Sequence, residues 1–265
     1  MSDHFNPTLA YLYRRWLARQ LVKEIPKGKF LEVGVGSGNF YKELLDFGFS
    51  GVCLDFNSVL IKEHRAQTTG PDKVVEFKAM DFFYLDDLFD LVLAFEVLEH
   101  YEEDWLCLER FWKLLKPNGT LLLSVPAHRH RWTSNDTSAG HARRYEKLEL
   151  IRKLKISGFK VESCWCYGFP ILNWTYPLSS ALFPKRKGES SLKIAAQRDS
   201  VVSQTLTNYE KTYQSGTRRF VSFSRWLLKE WLWLPFLQMQ WPILNRDLGI
   251  GYIVKCQKMN SNDQT

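Results

Sequence analysis

Long apolar runs and paired cysteines are both absent from this sequence. The longest uncharged apolar stretch, 231–244, is interrupted by prolines and is shorter than the roughly 20 residues that a membrane-spanning helix needs. The amino end shows no basic segment followed by an apolar run, so we expect no secretory signal. The five cysteines are scattered, odd in number and without a C-x-x-C pair, which argues against a disulfide framework and a zinc site. We therefore expect a cytoplasmic protein with free thiols.

Positive charge is unevenly spread along the chain. Of the net charge of +7, +3 lies over 128–144 and +5 over 185–219, so the remainder is close to neutral. This pattern fits solvated loops, or attraction to an anionic acceptor or an acidic membrane surface. His128 and His130 lie in the first segment, but no carboxylate cluster accompanies them, and we expect no metal site.

Apolar runs alternate with helical patterns along most of the chain, which predicts a parallel sheet with helices on both faces. We expect an α/β fold of the Rossmann-like, doubly wound type, with a mostly parallel seven-stranded sheet. The predicted strands are 29–34, 51–55, 74–80, 89–95, 120–125, 159–165 and 251–256.

About 80 residues separate the last two strands, far more than a hairpin needs. We expect this insertion to form a helical cap over an acceptor pocket, with a mobile polar part at 184–216. Its Trp-rich part, 220–244, either lines that pocket or contacts a membrane surface. The predicted organisation is an N-terminal helix over 1–27, a ligand-binding domain over 28–168 and 247–258, and the inserted segment 169–246.

A glycine-rich turn follows the first predicted strand. Gly34, Gly36 and Gly38 form a G-x-G-x-G pattern that lets the main chain approach a ligand. Asn39 stands where a dinucleotide fingerprint has its third glycine. Glu32, just before the turn, suits a ligand with cationic groups and no phosphates. Asp55 ends the second strand, where nucleotide-binding α/β folds place the acid that holds ribose hydroxyls.

Leu31-Glu-Val-Gly-Val-Gly-Ser-Gly38 resembles the first motif of class I S-adenosylmethionine (SAM)-dependent methyltransferases. Phe89-Asp-Leu-Val-Leu-Ala-Phe-Glu-Val-Leu-Glu-His100 and the segment 113–126 are similar to later motifs of the small-molecule groups that include ubiquinone- and menaquinone-biosynthesis-type enzymes. The resemblance covers roughly residues 28–165. It implies SAM as the cofactor and leaves the acceptor open.

The resemblance also implies roles for single residues. The three glycines and Glu32 would hold the methionine part of SAM, and Asp55 its ribose, with Phe56 following. Asp81 would take the adenine amino group with Phe82 beside the ring, although Asp81 also suits a turn cap. Glu96 would face the cofactor or the acceptor.

Four residues are candidates for the acceptor side. His141 is the favoured general base, and His100 is the second candidate. Arg144 and Tyr145 could orient an acidic or phenolic acceptor. We therefore expect a methyltransferase for a small or lipid-like, hydrophobic or anionic acceptor, with O- or C-methylation favoured. A nucleic-acid methyltransferase, which is not favoured, and a non-catalytic SAM-binding scaffold that docks on membranes are the alternatives.

Overall fold

The computed structural model describes residues 8–68, 74–175 and 230–259. In chain order its main elements are α1 (Leu9–Val22), β1 (Lys29–Val33), α2 (Phe40–Asp46), β2 (Ser50–Asp55), α3 (Ser58–Gln67), β3 (Val75–Ala79), β4 (Phe89–Phe95), α4 (Asp104–Leu114), β5 (Leu115–Pro126), α5 (Ser134–Ala139), α6 (Lys147–Ile156), β6 (Phe159–Tyr167), α7 (Glu230–Gln238) and β7 (Gly251–Lys258).

The strands form one sheet in the order β3-β2-β1-β4-β5-β7-β6. All neighbours are parallel except β7, which runs antiparallel to both β5 and β6. The predicted mostly parallel seven-stranded α/β fold is confirmed. The strand order reverses between β1 and β4, so the carboxyl ends of these strands open the crevice in which doubly wound folds bind ligands.

Side chains of the central strands alternate between two apolar layers. On β4, Val92 and Ala94 face the layer that contains α4 and α6, whereas Leu91 and Leu93 face the layer that contains α1 and α2. The helix α1 buries Tyr13, Leu17, Leu21 and neighbouring apolar residues against the second layer. Both faces of the sheet are therefore covered, and ligands reach it at the strand ends.

The start of β5 differs from the sequence-based prediction. Its extended backbone begins at Leu115, ahead of Pro117 and Gly119, whereas the predicted strand starts only at 120. The pairing with β4 jumps from Phe89–Leu115 to Leu91–Thr120, so the intervening residues bulge out of the ladder. A bulge keeps the strand continuous although proline lacks a backbone donor.

Only the two ends of the long insertion belong to the described residues. A helical turn lies at 171–175 and α7 follows at the other end. The buried Gln240 side chain joins these ends, because its Oε1 accepts a hydrogen bond of 2.9 Å from the backbone of Gly168. The predicted mobile segment 184–216 lies outside the described residues. Within the described part, helices are all too short or too polar to cross a bilayer. All five cysteines are free, as expected.

Candidate active site

A cleft of about 250 Å³ opens at the carboxyl end of β1. The glycine turn and residues at the start of α1 line it. Its lining consists of Thr8, Tyr11, Arg14, Glu32, Gly34, Val35, Gly36, Ser37, Gly38, Phe40 and Phe95. The predicted Glu32 and the three glycines therefore share one cleft. The contribution of α1 was not foreseen from the sequence.

The backbone of the glycine turn has a left-handed conformation at Gly34 (φ 71°) and Gly36 (φ 54°). A Cβ added at Gly34 would also lie only 3.0 Å from Val97 Cγ2. The amides of Gly34 and Val35 both donate to the carbonyl of Leu54, at 2.9 and 3.0 Å. The turn is thus held against the end of β2 with its main chain open to the cleft.

Asp55 connects the turn to the loop after β2. Its Oδ2 accepts a 2.8 Å hydrogen bond from the Gly36 amide, and its Oδ1 accepts one of 2.9 Å from the Asn57 amide. Each carboxylate oxygen can accept more than one hydrogen bond, so both retain capacity for a ligand hydroxyl. The Phe56 ring beside it is 56% exposed.

Glu32 is the unusual charge of the cleft. It is 5% exposed, and no basic side chain among the described residues pairs with it. Burial raises the pKa of Glu32 to about 8, an increase that a hydrogen bond from the Tyr41 backbone only partly opposes. At neutral pH this carboxyl is mostly protonated until a cation arrives beside it.

An ion pair borders the cleft on the side of β4. Arg14 Nη1 lies 3.2 Å from Glu96 Oε1, which also accepts a 3.0 Å hydrogen bond from Ser124 Oγ. Glu96 has a φ of 55°, unusual for a residue with a side chain. The predicted Glu96 thus lies at this edge of the cleft. Arg14 was not identified from the sequence. Its spacing of three residues from Tyr11 on α1 places both side chains on one face of the helix.

The two residues predicted for adenine lie beyond the lining of the cleft. Asp81 caps a short helical turn, because its Oδ1 accepts a 3.0 Å hydrogen bond from the Phe83 amide. Burial raises the pKa of Asp81, and this hydrogen bond lowers it in part. Phe82 is 1% exposed and packs against Phe83, Tyr101 and Phe111 in the core. Its ring serves the fold, and a contact with adenine stays a prediction.

His100 and His141 come together after β4. Their ring centroids are 4.9 Å apart, and His100 Nδ1 lies 3.3 Å from the carbonyl of Gly140. His141 Nδ1 lies 3.0 Å from Asp136 Oδ1. Burial raises the pKa of Asp136, but hydrogen bonds from His141 and Arg144 outweigh it and hold this pKa at about 2. The ionised Asp136 therefore fixes the proton of His141 on Nδ1.

Arg144 and Tyr145 are buried and bonded to the protein itself. Arg144 donates to both oxygens of Asp136, at 2.8 and 2.9 Å, and to the carbonyl of Ala127 at 3.0 Å. The Tyr145 hydroxyl donates to Asp104 Oδ2 at 2.9 Å. Both side chains anchor the loop that carries His141, and the expectation that they orient an acceptor stays a prediction.

Glu99 is the residue that the sequence reasoning missed. It is fully buried, and among the described residues neither carboxylate oxygen has a hydrogen-bond partner. Its Oε1 lies 3.8 Å from His141 Nε2. Burial, with Glu96 nearby, holds the pKa of Glu99 well above its usual range. Glu99, His100 and His141 each bring one ligand atom within 4.8 Å of the others, so together they could hold a metal ion.

Comparisons with known proteins agree on a family. A model described as a methyltransferase domain matches residues 4–164. The chain is 28% identical over 141 residues to ubiquinone biosynthesis O-methyltransferase of Xanthomonas campestris, which covers 51% of this chain and 54% of that protein. It is 32% identical over 105 residues to phosphoethanolamine N-methyltransferase 1 of Arabidopsis thaliana, which covers 37% and 21%. The chain spans about half the length of the first curated relatives it matches.

Solved structures share the fold at low sequence identity. The [4+2]-cyclase SpnF matches with a TM-score of 0.59 at 15% identity, over 98% of this chain and 84% of that chain. A SAM-dependent methyltransferase of Mesorhizobium loti matches with a TM-score of 0.52 at 17% identity, over 92% and 97%. The chain belongs to the methyltransferase-domain family, and its fold is that of the class I SAM-dependent methyltransferases.

Proposed function

We propose that this chain transfers a methyl group from SAM to a small or lipid-like, hydrophobic or anionic acceptor, with oxygen or carbon as the receiving atom. The observation that carries the proposal is that the cleft has one acidic and one basic side chain in its lining. Glu32 and Arg14 line the same space as the glycine turn. They match the ammonium and the carboxylate of an amino acid, and that end distinguishes SAM from a dinucleotide.

The glycine turn and the loop after β2, which lies beside the cleft lining, fit the same ligand. The left-handed turn at Gly34 and Gly36 exposes backbone to a close ligand without side chains in the way. The spare accepting capacity of Asp55 suits two ribose hydroxyls, and the exposed ring of Phe56 suits an adenine face. Asp81 and Phe82 have their own protein partners and add less to the proposal.

Bound SAM supplies a methyl group that is already activated by the sulfonium. The protein has to hold the donor, align the acceptor with the methyl carbon and exclude water. A hydroxyl or an acidic carbon must also lose a proton. His141 is proposed for this step, because Asp136 accepts from its Nδ1 and leaves Nε2, which lies 3.8 Å from Glu99 Oε1, as the nitrogen that takes the proton. His100 packs on its ring.

The cofactor part of the proposal is tested by calorimetry with SAM, S-adenosylhomocysteine and NAD. We expect both sulfur ligands to bind and NAD not to bind, because Asn39 replaces the third glycine of a dinucleotide turn. Binding of NAD as tightly as SAM would refute the assignment.

The acceptor side is tested with His141→Ala. The matched control is His130→Ala, which changes an exposed histidine that is not in contact with His141 or His100. We expect the first change to lower turnover at least tenfold with SAM affinity intact, and the control to change neither. A loss of SAM binding in His141→Ala would mean that the loop contacts the cofactor instead.

Exposed aromatic and apolar residues favour a hydrophobic acceptor over a nucleic acid. Trp231 and Met239 on and beside α7 are 60% and 61% exposed, and α7 itself carries no basic residue. Affinity for nucleic acid depends on basic groups that meet phosphates. A cytoplasmic location with peripheral membrane contact through 220–244 stays a prediction, and flotation with anionic vesicles tests it.

A further inference from the structure

A group of three potential metal ligands lies where β5, β6 and the loop before β7 meet. His128 follows β5, Cys166 is the last residue but one of β6, and Asp247 lies shortly before β7. One ligand atom from each side chain lies within 4.8 Å of the other two. An imidazole nitrogen, a sulfur and a carboxylate oxygen form a donor set typical of zinc sites. These three residues lie outside the lining of the cleft.

His128 has a buried nitrogen that faces Asp247 without a hydrogen bond. Its Nε2 is enclosed by protein and has no hydrogen-bond partner in the described part of the chain. Asp247 Oδ1 lies 3.5 Å from it. An N–H···O hydrogen bond usually spans roughly 2.7–3.2 Å. The His128 backbone has a φ of 61°, which costs free energy in a residue with a side chain. The fold thus holds a strained residue with this nitrogen unsatisfied, and a bound ion would satisfy it.

The second ring nitrogen of His128 has a carboxylate beside it. Nδ1 lies 3.5 Å from Glu146 Oε2. The other oxygen of Glu146, Oε1, accepts a hydrogen bond of 2.9 Å from the Arg129 amide, which fixes the carboxylate. A neutral imidazole has one proton for the two carboxylates that flank it. With the proton on the side of Glu146, Nε2 keeps its lone pair, and such a carboxylate is the usual support of a metal-ligating histidine.

The Cys166 thiol favours a metal ion over a second proton on His128. Two carboxylates alone would suit an imidazolium, but that cation needs no sulfur beside it. Cys166 Sγ accepts a hydrogen bond of 3.0 Å from the Gly249 amide, and a donor of this kind favours the thiolate. Burial raises the pKa of Cys166 to about 12, and the Gly249 amide lowers it only in part. A metal ion would remove the thiol proton, because a coordinating thiol is deprotonated.

Asp247 has both a support and an opening to solvent. The Tyr252 hydroxyl donates to its Oδ1 at 2.6 Å. A carboxylate oxygen accepts more than one bond, and metal-ligating carboxylates are themselves hydrogen-bonded. The Asp247 side chain is 42% exposed, whereas His128 and Cys166 are 6% and 2% exposed. An ion therefore enters from the side of Asp247 and reaches two buried ligands.

Backbone hydrogen bonds tie the three ligand segments together. The Ala127 amide donates to the Ile250 carbonyl at 2.9 Å, and the Ile250 amide donates to the Tyr167 carbonyl at 2.8 Å. Ligand atoms at about 2.0–2.3 Å from one zinc ion lie roughly 3.3–3.8 Å apart. The separation of 3.5 Å between His128 Nε2 and Asp247 Oδ1 falls within this range. One edge of a tetrahedral site is therefore already formed on a backbone that is held in place.

We propose that His128 Nε2, Cys166 Sγ and the Asp247 carboxylate bind one Zn²⁺ ion, with the fourth position open to water or to an external ligand. Binding forms a Zn–S bond, and the thiol proton leaves to solvent. The expectation of no metal at His128 rested on its neighbours in sequence, whereas the fold brings the other two ligands from β6 and the loop before β7. Asp247 lies between the inserted segment and β7, so the ion joins the end of that segment to the sheet.

The opposite side of the His128 ring is the weaker candidate. His130 and Glu146 also bring ligand atoms within 4.8 Å of one from His128. His130 is exposed, however, and Glu146 already accepts from the Arg129 amide. His130 is therefore the histidine control for the proposed site.

The test titrates the tag-free, metal-stripped and reduced full chain with CoCl₂, a coloured substitute for Zn²⁺. We expect one Co²⁺ per chain and a sulfur-to-cobalt charge-transfer band that equimolar ZnCl₂ bleaches. Cys166→Ser should remove the band and weaken affinity at least tenfold. Asp247→Asn keeps the oxygen that accepts from Tyr252, so it should fold, and it should weaken affinity at least tenfold with the band retained. Cys164→Ser, the same change two residues away on β6, should alter neither.

Three results would overturn the zinc site: no saturable Co²⁺ binding below millimolar concentration, a charge-transfer band that survives Cys166→Ser, or an equal loss of affinity in Cys164→Ser or His130→Ala. Two protonated nitrogens on His128 in nitrogen NMR at pH 7, with no Co²⁺ binding, would show an imidazolium between Glu146 and Asp247 instead. Thermal melting gives a separate check. Zn²⁺ should raise the melting temperature of the wild type and of Cys164→Ser but not of Cys166→Ser, and equal shifts in all three would refute the site.

Discussion

The buried Glu32 predicts that SAM binding releases a proton. The pKa of Glu32 is raised to about 8 by burial. At pH 7 a group with this pKa is roughly nine-tenths protonated. A ligand ammonium beside it favours the carboxylate and drives the proton out. The ligand's own α-amino group takes up about 0.1 proton on binding as an ammonium, so we expect a net release of about 0.8 protons for each SAM bound at pH 7.

The same linkage sets the pH dependence of affinity. Below pH 8 SAM binding competes with the proton on Glu32, so the association constant should rise by up to about tenfold per pH unit. Above pH 8 this gain ends, and the ligand's own α-amino group, with a usual pKa of about 7.7–8.0, is by then more than half uncharged. Affinity is expected to peak near pH 8.

Calorimetry in buffers of different ionisation enthalpy measures the released protons directly. Glu32→Gln should abolish the release and weaken SAM binding at pH 8 by about 1.5–3 kcal/mol, the usual loss for a hydrogen bond to a charged group. Methylthioadenosine is the ligand control, because it lacks the amino acid and should bind without proton release. Release below about 0.2 protons in the wild type, or equal release in Glu32→Gln, would refute the reasoning.

The pH dependence of the free energy of unfolding tests the raised pKa of Glu32 independently of ligand binding. The folded pKa of Glu32 is raised above its ordinary value of 4.5 to about 8. Folding therefore favours the protonated form of Glu32. Its contribution to the free energy of unfolding is fully present below pH 4.5 and is lost as the pH rises through 8. Urea unfolding of the ligand-free protein should show that Glu32→Gln removes this part of the pH dependence.

Three further predictions concern the turn, the ribose site and the insertion. Gly34→Ala should lower the free energy of unfolding by about 1–2 kcal/mol in urea, and more than Gly36→Ala does, because only the former adds a contact with Val97 to the left-handed strain. Asp55→Ala should weaken SAM binding by about 1.5–3 kcal/mol in calorimetry, and unchanged affinity would move the ribose contacts elsewhere. Replacing 184–216 with a short Gly/Ser linker should preserve SAM binding but reduce activity on the true acceptor, and unchanged activity would exclude a cap.

The sequence predicts the fold well because local patterns decide it. The alternation of apolar runs and helical patterns identifies each strand, and the glycine turn marks the end of β1. The sequence-based prediction fails where pairing between strands overrides a local turn signal. The turn residues at Pro117 and Gly119 became a bulge within β5, because pairing with β4 continues on both sides of them.

The acceptor side was less predictable because its contacts are distant in sequence. Arg144 reads as a surface charge, yet Asp136 neutralises it and lets it lie 2% exposed in the interior. Glu99 lies just after β4, and the apolar residues of that strand dominate the local sequence pattern. Its burial depends on the loop after α5, where the Ala142 amide donates to the Glu99 carbonyl at 2.7 Å. A single sequence does not reveal such a contact.

The two buried carboxylates explain why this end of the sheet is built for ligands. Glu32 and Glu99 are each 5% exposed or less, and the Arg14–Glu96 ion pair borders the cleft. Neither carboxylate has a basic lysine or arginine partner among the described residues, so each lowers stability when ionised. A cationic ligand relieves that cost at Glu32, where the ammonium of SAM is expected to lie. The fold therefore holds unfavourable charge where a ligand brings the opposite charge, and the stability gained from SAM should fall with Glu32→Gln and persist with Glu99→Gln.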